Sequence, residues 1–484
     1  IMTTYDFDIG VIGGGAAGLT VTAGSAQLGA RTLLIEKEPA LGGDCLHYGC
    51  VPSKTLIRTA QVFQQLKDLP RYGLPAVDVP RVDFKPIAQR IQEVIQRIQA
   101  HDSVERFCKL GARVEFGQPE FIDDHAIRLD GQTFSARTWV LSMGSSPSAP
   151  RIPGLESTPY LTNKDIFSLD ELPGSMIVLG AGPIACEMAQ AFARLGTEVQ
   201  VIQRSGQILS KEDPDLADLL QARMEAEGVR FHLKAGVKEV RDQGGTTEVV
   251  FTDSQGSEQI ARADQLLVAL GREANVSGLK LDNAGVKFTP KGVAVDKRMR
   301  TSQKHIYAAG DVTGTNQFTH AAGYEGGIVV SNAVFHLPRK ADDTLMPWCT
   351  YTEPELASIG LNEKRAATKG VETKVFTEHF SGNDRSLAEN EDLGGIKLLL
   401  DSKDKPVGVQ ILGPQAGELI SEWVAALSSG AKLTTLAGAV HPYPTLAEIN
   451  KRVVGKVLEP KIFSETMQKA LKFFFNFKGR ACNV

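Results

Sequence analysis

The chain has 484 residues, 42% hydrophobic and 23% charged, a soluble globular composition too long for one ordinary core, so about three domains are expected. A formal net charge of −4 gives no whole-protein reason to expect a nucleic-acid partner. No apolar run reaches the ~18 residues of a membrane span, and the opening YDFDIGVIGGG has no basic segment followed by an apolar one, so a cytoplasmic protein is expected.

DFDIGVIGGGAAGLTVTAGSAQLGARTLLIEKE reads as strand, glycine turn, helix and strand. Gly13, Gly15 and Gly18 form G-x-G-x-x-G between an apolar strand and a helix that begins at Ala16. In this pattern the first glycine makes the tight turn, the second admits a pyrophosphate and the third lets helix and strand pack closely. Glu36 ends the next strand, where a carboxylate can hold a ribose hydroxyl. This stretch is therefore read as a dinucleotide site.

GGDCLHYGCVPSK follows, with Cys45 and Cys50 five apart in a chain of 6 cysteines. A cytoplasmic setting disfavours structural disulfides, so a close pair points to redox or metal chemistry. In a regular α-helix residues five apart have Cα atoms roughly 8–9 Å from each other, and a disulfide tolerates at most ~7 Å. Pairing would require bent or unwound backbone, which Gly49 eases. A metal site would need more donors than His47, and no second Cys-rich or His-rich cluster is present in the sequence, so no metal ligands are assigned. Two unpaired thiols at a helix start are the third reading.

Two helical patterns come next, one with Leu56, Ala60, Phe63 and Leu66 on a face, the other with Ile87, Ile91, Ile95 and Ile98. Short strands follow in ARVEF, FIDD, AIRLD and TWVLSMG, and PSAPRIPG at 147–154 is a linker. SMIVLGAGPIACEMAQAFARLGTEVQVIQRS then repeats the nucleotide unit with Gly180, Gly182 and Ala185. The step of 23 positions from Gly13 to Glu36 lands on Gln203 when taken from Gly180, and Arg204 stands beside it. A missing acid and an added guanidinium suit a 2′-phosphate, which puts NADPH ahead of NADH. Two dinucleotide folds in one chain suggest a flavin and a nicotinamide, since hydride passes from one to the other. The second unit runs to Leu270-Gly271-Arg272. HIYAAGDVTG then ends a strand at Gly310-Asp311, and a new pattern of strands and helices starts near Pro347. Cys108, Cys186 and Cys349 lie in apolar or mixed contexts and read as buried structural thiols.

GGDCLHYGCVPSK, together with GGGAAG, GAGPIACE, YAAGD and YTEPELASIG in that order, resembles the flavoprotein disulfide reductases over nearly the whole chain. The resemblance implies an α/β fold with two Rossmann-like dinucleotide-binding domains and a C-terminal α+β dimerisation domain, in a homodimer. Residues 1–150 and 274–346 would form the two parts of the FAD domain, 151–273 the NAD(P)H domain, 347–464 the interface domain and 465–484 a tail. It implies electrons passing from NADPH through FAD to a Cys45–Cys50 disulfide and on to a small-molecule or metal-ion acceptor. Cys50 corresponds to the thiolate against the flavin and Cys45 to the interchange thiol; Lys54 matches the lysine near flavin N5, and Glu187 its carboxylate partner. Asp311 resembles the aspartate that holds the flavin's ribityl and phosphate portion. The FAD site would take in Lys37, Gly43, Asp44, Gly144 and Gly310 as well, and the NADPH site Gly271.

Dihydrolipoamide dehydrogenase and glutathione reductase carry His-Pro near the C-terminus with a glutamate four residues after the proline. This chain reads AVHPYPTLAEIN, which aligns Pro444 and Glu448 but puts Tyr443 in place of the histidine, with His441 two residues early. A tyrosine with pKa near 10 is a poor base at neutral pH, although it can donate a hydrogen bond. Mercuric reductases carry Pro-Tyr here and resemble the chain at Gln203-Arg204-Ser205, KEDPDLADLL and RSLAE. Against that branch, the sequence has no N-terminal Cys-x-x-Cys domain and ends FNFKGRACNV with a lone Cys482, a poorer soft-metal relay than two thiolates. KALKFFFNFKGR could meet a membrane surface, but packing on the dimer partner is the preferred reading. The resemblance still places the chain in the mercuric-reductase-like branch, reducing a soft metal ion such as Hg(II) or a small disulfide-type acceptor; the alternatives are a dihydrolipoamide dehydrogenase that uses His441 and, from another class, a flavin-binding partner protein without turnover.

Overall fold

The computed structural model describes residues 4–148, 150–479 and 481. Its internal contacts define two compact units, Ile1–Ile208 with Met224–Asp343, and Leu209–Arg223 with Thr344–Val484.

The first unit is built on a parallel sheet. Strand β1 (Phe7–Ile12) pairs in parallel with β2 (Thr32–Glu36) on one side and with Gln132–Leu141 on the other. Ala112–Phe116 extends the sheet beyond β2, and Ile306–Ala308 pairs in parallel with the C-terminal half of Gln132–Leu141. Glu120–Phe121 and Ala126–Leu129 complete the 7-stranded sheet. The apolar runs of β1 and β2 are covered on both faces, as parallel strands require. Val11, Leu34 and Val140 pack with Ile328 and Val329 of the helix Thr319–Ala333 on one side, and Ile12, Leu33 and Trp139 face a second cluster. A second parallel sheet runs Arg230–Leu233, Glu198–Gln203, Ser175–Leu179, Gln265–Val268. It carries the helix Pro183–Leu195 and stands beside a three-stranded meander. This is the mixed α/β architecture expected.

Between the expected linker and the end of the second nucleotide unit the chain forms a short antiparallel pair, with Ser145–Pro147 against Arg272–Ala274. Helix α1 is Ala16–Gln27, α2 is Gly43–His47, α3 is Cys50–Lys67 and α4 is Lys85–Gln99. The anticipated apolar faces hold for Leu56, Ala60, Ile87, Ile91 and Ile95, but Leu66 is 41% and Ile98 36% exposed. Periodicity locates a face without telling where the element it packs against stops.

The second unit is a five-stranded antiparallel sheet in the order Trp348–Thr350, Glu355–Gly360, Pro406–Gly413, Gly395–Leu400, Lys374–His379. Ile396, Leu398, Val409 and Ile411 pack against Trp423 and Val453 of its helices. The IKLLLD strand carries Lys397 into the interior. Its ammonium lies 2.9 Å from Asp213 and 3.0 Å from Asp215, and Glu363 completes its ring of carboxylates. A buried cation needs such partners, which accounts for the segment Leu209–Arg223 belonging to this unit. The helix Glu465–Phe475 ends in Phe473, Phe474 and Phe475, which are exposed together with Phe477. Cys482 lies outside the described residues. Among the described residues no helix is long and apolar enough to cross a membrane.

Candidate active site

The C-terminal ends of β1 and β2 and the N-terminus of α1 form the first cradle. Gly13 has φ +105°, and a Cβ there would lie 2.3 Å from Ser142 O; at Gly18 it would lie 1.8 Å from Gly13 O. Neither position accepts a side chain, one for the turn and one for the approach of helix to strand. A Cβ on Gly15 would meet nothing nearer than Gly43 Cα at 3.8 Å. The helix N-terminus is thus open to a pyrophosphate, and the backbone of α2 stands opposite. Glu36 is buried at the end of β2, where Oε2 accepts from Gly14 N at 2.6 Å and Oε1 from Glu38 N at 2.8 Å. Lys37 points outward and lies 3.8 Å from Glu38. These residues fit an FAD pyrophosphate and ribose. Replacing Gly18 with alanine is expected to yield protein without flavin, read from the 450 nm to 280 nm absorbance ratio.

Gly144, Gly310 and Asp311 lie on the same rim. Asp311 accepts from Ser145 Oγ at 2.6 Å, and Gly310 N donates to the buried Glu325 at 2.7 Å. Burial pushes the Asp311 carboxyl up from the ordinary range, while Ser145 and Arg272 pull it back. Arg272, which the sequence reading passed over as the end of a domain, ties this rim together. Its guanidinium is 3.0 Å from Asp44 and 3.9 Å from Asp311, and it donates to Ser145 Oγ and Ser145 O at 2.8 Å. Burial pushes Glu325 up to about 7.

Cys45 lies in α2 and Cys50 opens α3, with Tyr48 and Gly49 breaking the helix between them. A Cβ at Gly49 would sit 3.0 Å from Cys45 Cα, so the backbone is folded back on itself there, as pairing of the two sulfurs would demand. Both thiols are free. The neighbouring Cys45 thiol, aided by Thr319 and Lys54 and opposed by burial, lowers Cys50 to about 6. Cys45 is pushed far up, first by its Cys50 neighbour and then by burial. Thr319, which no sequence motif marked, has Oγ1 3.6 Å from Cys50 Sγ and opens the helix Thr319–Ala333. Lys54, one turn into α3, places Nζ 2.8 Å from the buried Glu187 of Pro183–Leu195.

The second cradle has the same plan. A Cβ on Gly180 would lie 2.6 Å from Ala269 O, Gly182 is open, and Ala185 is fully buried in the first turn of the helix. Gly271 O accepts from Ser148 N at 3.0 Å. Gln203 donates to Ser205 Oγ at 2.8 Å, and Arg204 is exposed beside it.

In the second unit Tyr443 is 70% exposed and donates to Asp384 Oδ2 at 3.0 Å, a bond that raises its pKa. Glu448, aligned by sequence as the carboxylate of this position, has its buried Oε2 without a hydrogen-bond partner. His441 Nε2 lies 3.0 Å from Glu422, while its buried Nδ1 has none. Of the other cysteines, Cys186 is buried and its thiol is pushed up by burial, and Cys349 is half-buried. Cys108 is exposed, contrary to expectation, because Phe107 takes the inward side of its short helix.

Two nucleotide cradles leading to a cysteine pair define a flavin-dependent dithiol oxidoreductase. Residues 7–326 match the pyridine nucleotide-disulphide oxidoreductase model, and residues 346–454 match the dimerisation domain of the same family. The chain belongs to this family, which implies FAD and NAD(P)H as cofactors. Mercuric reductase of Staphylococcus aureus is 33% identical over 445 residues, covering 92% of this chain and 81% of the relative. Dihydrolipoyl dehydrogenase of Bacillus subtilis (strain 168) is 34% identical over 449 residues, covering 91% and 96%. The HOCl-induced flavoprotein disulfide reductase RclA from Escherichia coli superposes with TM-score 0.83 at 28% identity, covering 93% of this chain and 100% of that one. Its Cu(II) complex gives TM-score 0.82 at 27% identity, covering 92% and 99%.

Proposed function

We propose that this protein is a homodimeric, NADPH-dependent reductase whose Cys45–Cys50 pair delivers electrons to a soft metal ion such as Hg(II) or to a small disulfide-type acceptor. The bound cofactors supply hydride transfer from nicotinamide to flavin and a two-electron path to sulfur. At neutral pH the Cys45–Cys50 disulfide would take up two electrons and one proton, leaving Cys45 as the thiol and Cys50 as the thiolate. Lys54 and Glu187 fix a cation beside the flavin position, and Asp44, Asp311 and Arg272 hold the rim.

The observation that carries the choice of acceptor is the state of Tyr443. By the resemblance Tyr443 takes the place of the acid/base histidine; its phenol donates to Asp384 and is held protonated, so that position supplies no base for the proton of the interchange thiol. A disulfide acceptor needs that proton removed before attack. A soft metal ion displaces the thiol proton as it binds. The alternative, dihydrolipoamide dehydrogenase, is favoured by the His441–Glu422 contact of 3.0 Å, which could orient an imidazole base.

An acceptor screen with NADPH over Hg(II), lipoamide, glutathione disulfide and quinones decides between them. NADPH-dependent Hg(II) reduction exceeding lipoamide turnover by tenfold or more is expected. Efficient NAD-linked oxidation of dihydrolipoamide, lost in His441→Ala, would reverse the ranking. For the nicotinamide, Arg204→Ala is expected to raise KM for NADPH about tenfold, the loss of one phosphate contact, and to leave KM for NADH unchanged. An equal effect on both would remove the 2′-phosphate role.

A further inference from the structure

We propose that Asp124, His125 and His305 form a binding site for a borderline divalent transition-metal ion such as Zn(II), separate from the cysteine pair. The three residues each offer a ligand atom, and these atoms all lie within 4.8 Å of one another. Two imidazoles and a carboxylate are the donor set of an open zinc site with a water in the fourth position. His125 and His305 are 180 positions apart, which is why the sequence shows no His cluster.

The arrangement is built on the first unit's sheet. Asp124 and His125 occupy the turn before the strand Ala126–Leu129, and His305 immediately precedes Ile306–Ala308. That is the N-terminal end of a parallel strand, whereas Gly13, Ser142 and Gly310 follow the C-terminal ends. One fully buried residue, Trp139, fixes both histidine backbones, donating from Nε1 to His125 O at 2.9 Å and from its amide to His305 O at 3.2 Å. Asp123 Oδ1 accepts from the amides of His125 and Ala126 at 2.8 Å and pins the turn.

One of the two histidines already has the contact of an oriented ligand. His125 Nδ1 lies 2.9 Å from Ala136 O, so it carries the proton and leaves the Nε2 lone pair for a metal, the usual carbonyl–histidine–metal arrangement. His305 Nε2 is 3.0 Å from Asp124 O and 3.4 Å from the Asp124 carboxylate, so here it carries the proton, and a metal would have to displace that hydrogen bond or take the other ring nitrogen. The two rings stack with centroids 4.1 Å apart, and Tyr5 stacks on His125 at 4.6 Å. Two metal bonds of ~2.1 Å at a tetrahedral angle span ~3.4 Å. Lone pairs lie in the ring planes, and these two planes are only 14° from parallel, so binding has to turn one ring out of the stack as well as draw the donors together, with the backbone already held.

The test uses FAD-loaded Cys45→Ser/Cys50→Ser protein of the whole chain with its accessible thiols alkylated, and Zn(II) alone as the probe in competition with a chromophoric chelator. One equivalent of Zn(II) is expected to bind in the parent and to be lost in His125→Ala and in His305→Ala. Absence of Zn(II) binding by the alkylated parent, or unchanged stoichiometry and affinity in both histidine variants, would overturn the site. Should those variants unfold, Asp124→Asn decides, because its carboxylate is half-exposed and outside the ring stack. Weakening of threefold or more supports the site and a smaller change overturns it.

Discussion

Replacing Cys50 with serine is expected to lower NADPH-driven acceptor reduction by about 10⁴-fold, the loss typical of removing a nucleophile that acts as part of a unit. Bleaching of the flavin by NADPH under anaerobic conditions should survive, since that step uses neither sulfur. The two thiols act on each other: Cys50 is lowered to about 6, first by its Cys45 neighbour, and Cys45 is pushed up. At pH 7 a thiol of that pKa is roughly 10:1 thiolate, against about 1:100 for one at 9. The thiolate-to-flavin absorbance of the two-electron-reduced protein is accordingly expected to titrate near pH 6. In Cys45→Ala the largest cause of the depression is gone, burial is left to oppose ionisation, and the midpoint should rise by about a unit or more. A midpoint that stays near 6 in Cys45→Ala would transfer the effect to Thr319 and Lys54. Retention of turnover in Cys50→Ser would remove the cysteine pair from the electron path.

Both nucleotide cradles were legible from residues alone because their physics is local. A turn with φ +105° at Gly13 and a 1.8 Å approach at Gly18 admit only glycine, so the spacing of glycines is a direct record of the backbone. The fold-back between Cys45 and Cys50 was legible for a similar reason, since five residues of helix hold two cysteines too far apart and Gly49 marks the bend. The α/β class followed from alternating apolar strands and helical patterns.

Residues whose partners are distant in sequence were not legible. Arg272 looks like the last residue of a strand until the fold sets it between Asp44 and Asp311, and Thr319 is an ordinary helix start until Cys50 lies 3.6 Å away. Lys397 in IKLLLD reads as one polar interruption of an apolar strand, yet it gathers Asp213, Asp215 and Glu363 and binds a segment nearly two hundred positions upstream to the second unit. Tyr443 was picked out by alignment, but its carboxylate is Asp384 of the RSLAE helix and not the aligned Glu448. That choice turns on side-chain placement, which motif spacing does not encode.

Arg272→Met should have the next largest effect, on flavin retention. The Arg272 side chain is 14% exposed and holds Asp44 at 3.0 Å with Asp311 at 3.9 Å. Stripping one partner from a buried ion pair costs about 3–5 kcal/mol, but both carboxylates keep some solvent access, so about 2 kcal/mol is the appropriate figure. If that cost falls on the flavin-bound form, the FAD dissociation constant rises about 30-fold. The sign with pH follows from Asp311, whose carboxyl is already raised by burial and is held down in part by Arg272. Without the guanidinium it rises further, and each step in pH through its ionisation then places an uncompensated charge beside Asp44. The Asp311 part of the defect should therefore grow as pH rises through that ionisation, on top of the loss of the Asp44 pair, measured as free-flavin fluorescence after dilution. Arg272→Lys keeps the charge and loses the forked donation to Ser145, so it should fall between the two. A pH-independent loss in Arg272→Met would confine the arginine's role to Asp44, and no loss at all would show that the rim is held by Ser145 and the Gly310–Glu325 contact.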